Sequence, residues 1–205
     1  MTNKRVKNPL DWRIIDWQQL SITEQKLALA RPAIAESAML SQQVENILSN
    51  VRAHGDKALF DLTEKFDGVA LTTLVVTQAQ VNAAKARLTS KRVKAIESAY
   101  GNIKRFHQAQ LTNDIRVETT PGVVCTLKTE AIESVGLYIP AGSAPLPSTV
   151  LMLGVPAQLA QCPRKVLVCP PDKNGQLADE VLVAASLCGI SEIYNIGGAQ
   201  ACAAL

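Results

Sequence analysis

The chain has 205 residues, of which 47% are hydrophobic and 19% are charged, and its formal net charge is +3. This is the composition of an ordinary globular protein, and it excludes intrinsic disorder, a collagen-like repeat and a small disulfide scaffold. The chain contains no run of 18 apolar residues, and residues 1–10 are polar and basic without an apolar core. The sequence therefore predicts neither a transmembrane helix nor a secretory signal.

The five cysteines are Cys125, Cys162, Cys169, Cys188 and Cys202, and no two of them are spaced as C-x-x-C. An odd count without metal-ligand spacing favours reduced thiols in a cytoplasmic protein over a disulfide framework or a zinc ribbon. We therefore expect all five to be small, buried apolar side chains.

Residues 1–20 are interpreted as an N-terminal arm, and residues 21–114 as the helical part of a first α/β domain. Ser21 or Thr23 could cap the first helix, and an apolar period of three to four residues from Ile34 predicts a helix that ends at Gly55. A turn is predicted at residues 66–68, and a short strand at residues 74–76.

Two further helices are predicted within residues 78–110, and the second half of this region is strongly basic. Between Lys85 and Arg105 there are seven basic residues and one acidic residue, Glu97. Such a face could bind phosphate or nucleic acid. A solvated helix surface or a subunit contact is the preferred interpretation, because aromatic residues are not interleaved with the charges and no groove-reading motif accompanies them.

Residues 115–133 are predicted to form a β-hairpin, because apolar residues alternate from Ile115 and again from Val123, on either side of Pro121-Gly122. Residues 134–205 then read as three β/α units. Continuous apolar strands separated by helices predict a parallel sheet with helices on both faces.

Two strand-to-helix loops of the three β/α units are candidates for a ligand site. The first runs from Tyr138 to Pro147, before Ser148 and Thr149, which could cap the following helix. The second is Gly197-Gly198-Ala199-Gln200. Ligands bind at the carboxyl ends of strands in parallel sheets, but neither loop is a G-x-G-x-x-G or Walker A sequence. Their spacing is compatible with a nucleotide site and with ordinary turns. No residue stands out as a general base.

The sequence from Glu133 to Met152 resembles the N-terminal half of histidinol dehydrogenases, as do residues 169–171, 187–189 and 197–201. The short motifs at residues 31–32, 54–56 and 66–68 also occur in the same order as in the family. The resemblance therefore covers nearly the whole chain and is weakest in residues 1–20.

The resemblance implies a zinc- and NAD-dependent enzyme of histidine biosynthesis that oxidises L-histidinol to L-histidine through the aldehyde. It also implies a Rossmann-like, aldehyde-dehydrogenase-like α/β fold and a cytoplasmic homodimer without a membrane or nucleic-acid partner. Tyr138 and Gln200 match the family's NAD-contacting tyrosine and glutamine. Ala141 stands where the family commonly has glycine, which could alter the first loop slightly.

Family members are about twice as long as this chain, and their zinc ligands and catalytic Glu-His pair lie in the other half. The resemblance therefore assigns no catalytic residue and no metal ligand to this sequence, and residues 134–205 are expected to be cut short. The isolated chain is expected to be inactive. The alternative is a non-catalytic, stand-alone nucleotide-binding or interaction module derived from the enzyme.

Overall fold

The computed structural model describes residues 16–29, 38–140 and 144–205, and it divides the chain into two compact units between Ser41 and Gln42. The first unit contains a short 3₁₀ helix, Trp17–Gln19, the helix α1, Ile22–Leu29, and the start of α2. Ser21 caps α1 as predicted, because its main-chain N–H donates to Glu24 at 2.9 Å and its hydroxyl accepts from the Glu24 N–H at 3.4 Å. The predicted helix start near residues 32–34 lies outside the described residues.

Four helices precede the strands of the second unit. They are α2 (Ala38–His54), α3 (Asp56–Asp67), α4 (Gln78–Arg87) and α5 (Ser90–Gln108). Gly55 separates α2 from α3, as the sequence predicts. Thr77 and Gln80 form a capping box at the start of α4, and the Thr89 hydroxyl caps α5.

The predicted hairpin is confirmed, and it is exposed on both faces. Its antiparallel strands are β1 (Ile115–Thr120) and β2 (Val123–Leu127), and Ile115 pairs with Leu127. A register irregularity lies between Glu118 and Thr120. Every residue of both strands is exposed, so the pairing rests on the two strands alone.

A parallel sheet contains β3 (Ser134–Tyr138), β4 (Arg164–Val168) and β5 (Glu192–Tyr194), in that order. The helices α6 (Pro147–Leu159), α7 (Asp179–Leu187) and α8 (Gly198–Ala204) follow the three strands in turn. The strand predicted at residues 74–76 is reduced to one antiparallel bridge between Val75 and Tyr194. Two main-chain hydrogen bonds flank this bridge along the edge of β5.

Alternate side chains of the sheet enter two separate cores, so helices cover both faces as predicted. Leu137, Leu167 and Ile193 pack with residues of α4, α5, α6 and α7, and we call this side the closed face. Val168 and Ile196 pack with residues of α2, α3 and α8 on the other side, the open face. A cavity of about 500 Å³ lies on the open face, and its lining includes Gly136, Val166, Tyr194 and Leu205.

Two local predictions are wrong. Neither Ser148 nor Thr149 caps α6, because Leu146 occupies the cap position and Pro147 opens the helix without a side-chain hydrogen bond. Cys162, Cys169 and Cys188 are buried as expected, but Cys125 and Cys202 are exposed, one on the isolated hairpin and one on α8. Within the described ranges, no helix is long and apolar enough to cross a membrane.

Candidate functional site

The two loops selected from the sequence meet at one edge of the parallel sheet. Tyr138 ends β3, and Gly197 and Gly198 join β5 to α8. Because β3, β4 and β5 are parallel, their carboxyl ends share this edge, which is where ligands bind in open α/β sheets.

A direct hydrogen bond links the two loops. The Gly198 N–H donates to the Tyr138 hydroxyl over 3.1 Å, although the two residues are 60 positions apart in the chain. The Tyr138 ring is half-buried against the core of the open face. The bond uses the phenol oxygen as an acceptor, so the phenol proton is available for another acceptor.

The turn after β5 needs glycine at two successive positions, for different reasons. A Cβ atom on Gly197 would overlap the ring of Pro170 at the end of β4. Gly198 has a φ of +64°, which L side chains rarely adopt. These requirements bring the ends of β4 and β5 into close contact, with Gly197 buried against Pro170 and Gly198 exposed to solvent.

Gln200 lies beneath this turn and is enclosed by the protein. Its side chain is only 2% exposed. A Cβ atom on Gly198 would lie 2.5 Å from the Gln200 Oε1 atom, so the amide group packs directly under the turn. The two residues that the resemblance assigns to NAD binding are therefore brought together, but Tyr138 is partly accessible and Gln200 is not.

A cleft of about 190 Å³ opens beside this edge, between the loops that follow β3 and β4. Its lining includes Pro140, Leu146, Cys169, Pro171 and Gln176, and proline restrains the backbone on both sides. The cleft is smaller than the roughly 300–1,000 Å³ of typical ligand pockets, so these walls enclose part of a dinucleotide at most. Residues 141–143, including Ala141, lie outside the described residues.

Acidic side chains near the cleft already have partners. The Asp172 carboxylate accepts the main-chain N–H groups of Asn174 at 2.8 Å and Gln176 at 2.9 Å, which fixes its turn. Asp179 accepts from the Arg87 Nε atom at 2.9 Å, and this bond raises the pKa of Arg87 above its ordinary value. These carboxylates stabilise structure and are poor candidates for a general base.

The thiol of Cys169 is also unsuited to nucleophilic chemistry. Burial raises its pKa to about 11, so the thiol stays protonated near neutral pH. In the parts of the chain that the structure describes, no group of three or more His, Cys, Asp or Glu side chains is placed to hold a metal ion.

Part of the basic surface predicted between Lys85 and Arg105 pairs with the start of α7. Arg87 binds Asp179, and Arg92 binds Glu180 at 2.8 Å. Lys85 lies 3.6 Å from Glu97. Three of the seven basic side chains therefore pair with acidic residues of the same chain.

The family model for histidinol dehydrogenase matches residues 30–205. This chain belongs to the histidinol dehydrogenase family. It is 72% identical over 193 residues to the histidinol dehydrogenase of Colwellia psychrerythraea, and 55% identical over 193 residues to that of Vibrio vulnificus strain CMCP6. Each alignment covers 94% of this chain and 44% of the relative, so the chain spans less than half of the relatives' length.

A solved structure agrees with this assignment. The crystal structure of histidinol dehydrogenase from Elizabethkingia anophelis matches with a TM-score of 0.82 and 41% sequence identity. The match covers 90% of this chain and 42% of that chain. The mixed α/β fold with a parallel sheet is therefore a fold of the family.

Sequence reasoning missed two residues that shape the edge. Pro170 requires glycine at position 197, and Asn195 binds the Gly175 carbonyl oxygen at 3.0 Å from a buried position. The run Cys169-Pro170-Pro171 was a signal for the first, because consecutive prolines at a strand end are a rigid surface. No sequence pattern signals the second.

Proposed function

We propose that this chain is the N-terminal portion of a histidinol dehydrogenase and that its carboxyl edge contributes part of the NAD site. The hydrogen bond between Tyr138 and Gly198 carries this proposal, because it joins the two loops into one surface with exposed main chain. In the whole enzyme, the conversion of L-histidinol to L-histidine would take two oxidations, each with its own NAD molecule as the hydride acceptor.

Tyr138 is the residue best placed to bind the cofactor. Its hydroxyl oxygen is oriented by Gly198, and its proton can be donated to an oxygen of NAD. Gln200 supports the turn from beneath and would reach NAD only after its side chain turns outward. The exposed main chain at Gly198 lets a ligand approach closely.

Zinc does not fit the described residues, so no step of the reaction is assigned to a metal on this chain. We propose that the zinc ligands and the catalytic Glu-His pair belong to the length of the relatives that this chain does not span. The homodimer, the Rossmann-like and aldehyde-dehydrogenase-like character of the fold, and the cytoplasmic location are part of the same proposal.

Calorimetric titration of the chain with NAD tests the cofactor role. We expect binding that weakens in Tyr138→Phe and is retained in Tyr194→Phe, a matched variant on the open face. Undetectable heat at millimolar NAD would remove the cofactor role and favour a stand-alone interaction module instead.

An assay of NADH formation from L-histidinol tests the second part of the proposal. We expect no turnover by the purified 205-residue chain. Turnover would show that the catalytic groups lie within this sequence and would overturn the assignment of zinc chemistry elsewhere.

A further inference from the structure

The side chain of Asn195 is a buried amide in which the nitrogen has a hydrogen-bond partner and the oxygen has none. Asn195 follows β5 and is 5% exposed. Its Nδ2 group donates to the Gly175 carbonyl oxygen over 3.0 Å, whereas its Oδ1 atom is buried without a donor. Rotating the amide would place Oδ1 against the Gly175 carbonyl oxygen, so the observed orientation is the one that Gly175 requires.

A cavity of about 110 Å³ adjoins this amide, and we call it the Asn195 chamber. Val76, Leu177 and Leu182 contribute apolar walls. Its polar lining comes from the amide groups of Gln80 and Gln176 and from the side chain of Arg87, which is paired with Asp179. Because a water molecule occupies about 30 Å³ in the liquid, the chamber holds a few waters. It is too small for a nucleotide, whose pockets begin at roughly 300 Å³.

The amide of Gln80 is also partly hydrogen-bonded. The Gln80 Oε1 atom accepts from the Thr77 N–H and hydroxyl groups, each at 2.8 Å. Its Nε2 group is therefore the part of the Gln80 side chain that can donate elsewhere. Asn195 offers an acceptor and Gln80 a donor, which are the complementary partners that a bridging water needs.

We infer that the Asn195 chamber binds an ordered water molecule that donates to Asn195 Oδ1. The water completes the hydrogen bonding of the amide, whose other end holds the turn at residues 172–176 through Gly175. Gln176 lines both this chamber and the cleft at the carboxyl edge. Asn195 is thus a positioning residue for one wall of the cleft, and this role does not depend on the identity of the cofactor.

A high-resolution crystal structure of the chain tests the water directly. We expect a well-ordered water at about 2.7–3.2 Å from Asn195 Oδ1. An empty chamber, or an Asn195 amide rotated onto a protein donor, would overturn the inference. This measurement uses the unmodified chain, so it remains decisive even where a variant fails to fold.

Hydrogen exchange tests the positioning role in solution. The Gly175 and Gln176 N–H groups donate within the turn, to the carbonyl and carboxylate oxygens of Asp172. We expect Asn195→Leu to accelerate their exchange about tenfold or more, whereas Asn174→Leu, at an exposed position of the same turn, leaves it unchanged. Equal exchange rates in wild type and Asn195→Leu would show that Asn195 does not position the turn.

Discussion

The closed and open faces of the sheet are built from the same three strands but are packed differently. On the closed face, Leu167 is fully buried among residues of four helices. On the open face, Val166 and Gly136 border a cavity of about 500 Å³. The closed face is complete within the described residues, whereas the open face is filled only near the carboxyl edge, where Tyr138 and Ile196 join its core.

The difference explains why the candidate site lies at the carboxyl edge. There both faces are packed, and Pro170, Tyr138 and Gln200 hold the Gly197-Gly198 turn from three directions. Toward the amino ends of the strands, the open face borders the cavity of about 500 Å³ and is not packed in this way. The following five predictions test this contrast.

The largest expected effect is on cysteine reactivity. Burial raises the pKa of Cys169 and of Cys188 from 9.0 to about 11, and both belong to the closed-face core. At pH 8 we expect iodoacetamide to modify them at least about 100-fold more slowly than exposed Cys202 on α8, because two pKa units lower the thiolate fraction by that factor. Timed peptide mass spectrometry measures the rates.

The same shifts predict the direction of a pH effect. A pKa raised in the folded state favours the protonated thiol, so the contribution of these thiols to folding stability is complete below pH 9 and is lost as the pH rises through about 11.

In the iodoacetamide experiment, labelling of Cys188 as fast as that of Cys202 would mean that the closed face opens readily.

The next largest effect is expected for a matched pair of leucine-to-alanine substitutions. Leu167→Ala should lower the free energy of unfolding by about 2–5 kcal/mol, because Leu167 is 0% exposed and its removal leaves an enclosed void. Leu74→Ala should lower the free energy of unfolding by about 2 kcal/mol or less, because Leu74 already borders the open-face cavity. Urea unfolding of both variants gives the comparison, and equal losses would contradict it.

A third prediction concerns the contact of α6 with α7. A Cβ atom on Gly154 would lie 2.8 Å from both Cβ and Sγ of Cys188. Overpacking of this kind costs about 1–3 kcal/mol and is offset by about 1 kcal/mol of helix propensity, so Gly154→Ala should lower the free energy of unfolding by up to about 2 kcal/mol. Gly101→Ala in α5 is the control, because nothing lies within 4 Å and it should gain up to about 1 kcal/mol.

The sequence predicts the strands, helices and loops of the two faces better than it predicts the contacts between them. Continuous apolar strands predict the parallel sheet, and one proline-rich and one glycine-rich loop predict the two halves of the edge, because these signals are local along the chain. The fit of Pro170 against Gly197 and the burial of Asn195 arise between distant segments, which periodicity does not report.

Two errors have a similar origin. The burial that cysteine usually shows did not hold for Cys125, because its strand pairs only with the other half of an exposed hairpin. Ser148 was expected to cap α6, but Pro147 begins the helix one residue earlier. In both cases the surrounding structure overrides the preference of a residue type.

A smaller effect is expected where the two loops meet. Tyr138→Phe removes the acceptor of the Gly198 N–H and should cost about 0.5–1.5 kcal/mol, near the low end because Gly198 is exposed to water. Tyr194→Phe is the control, and urea unfolding is again the measurement. A loss equal to that of the control would mean that the hydrogen bond does not stabilise the edge.

The smallest effect is expected at Gly136, the open-face counterpart of Gly154. A Cβ atom there would lie 2.7 Å from Leu205 Cδ1, about as close as the clash at Gly154. The two contacts differ in what must move. The Cβ of Cys188 is fixed to the main chain at the C-terminal cap of α7, whereas the end of the Leu205 side chain can turn into the adjoining cavity.

We therefore expect Gly136→Ala to change the free energy of unfolding by less than about 0.5 kcal/mol, since alanine also favours a strand over glycine by roughly that amount. The double variant with Leu205→Ala separates the two contributions, because it removes the contact and leaves only the backbone effect. A loss above about 1 kcal/mol that Leu205→Ala restores would show that Leu205 is held as firmly as Cys188. The open face would then be as rigidly packed as the closed face.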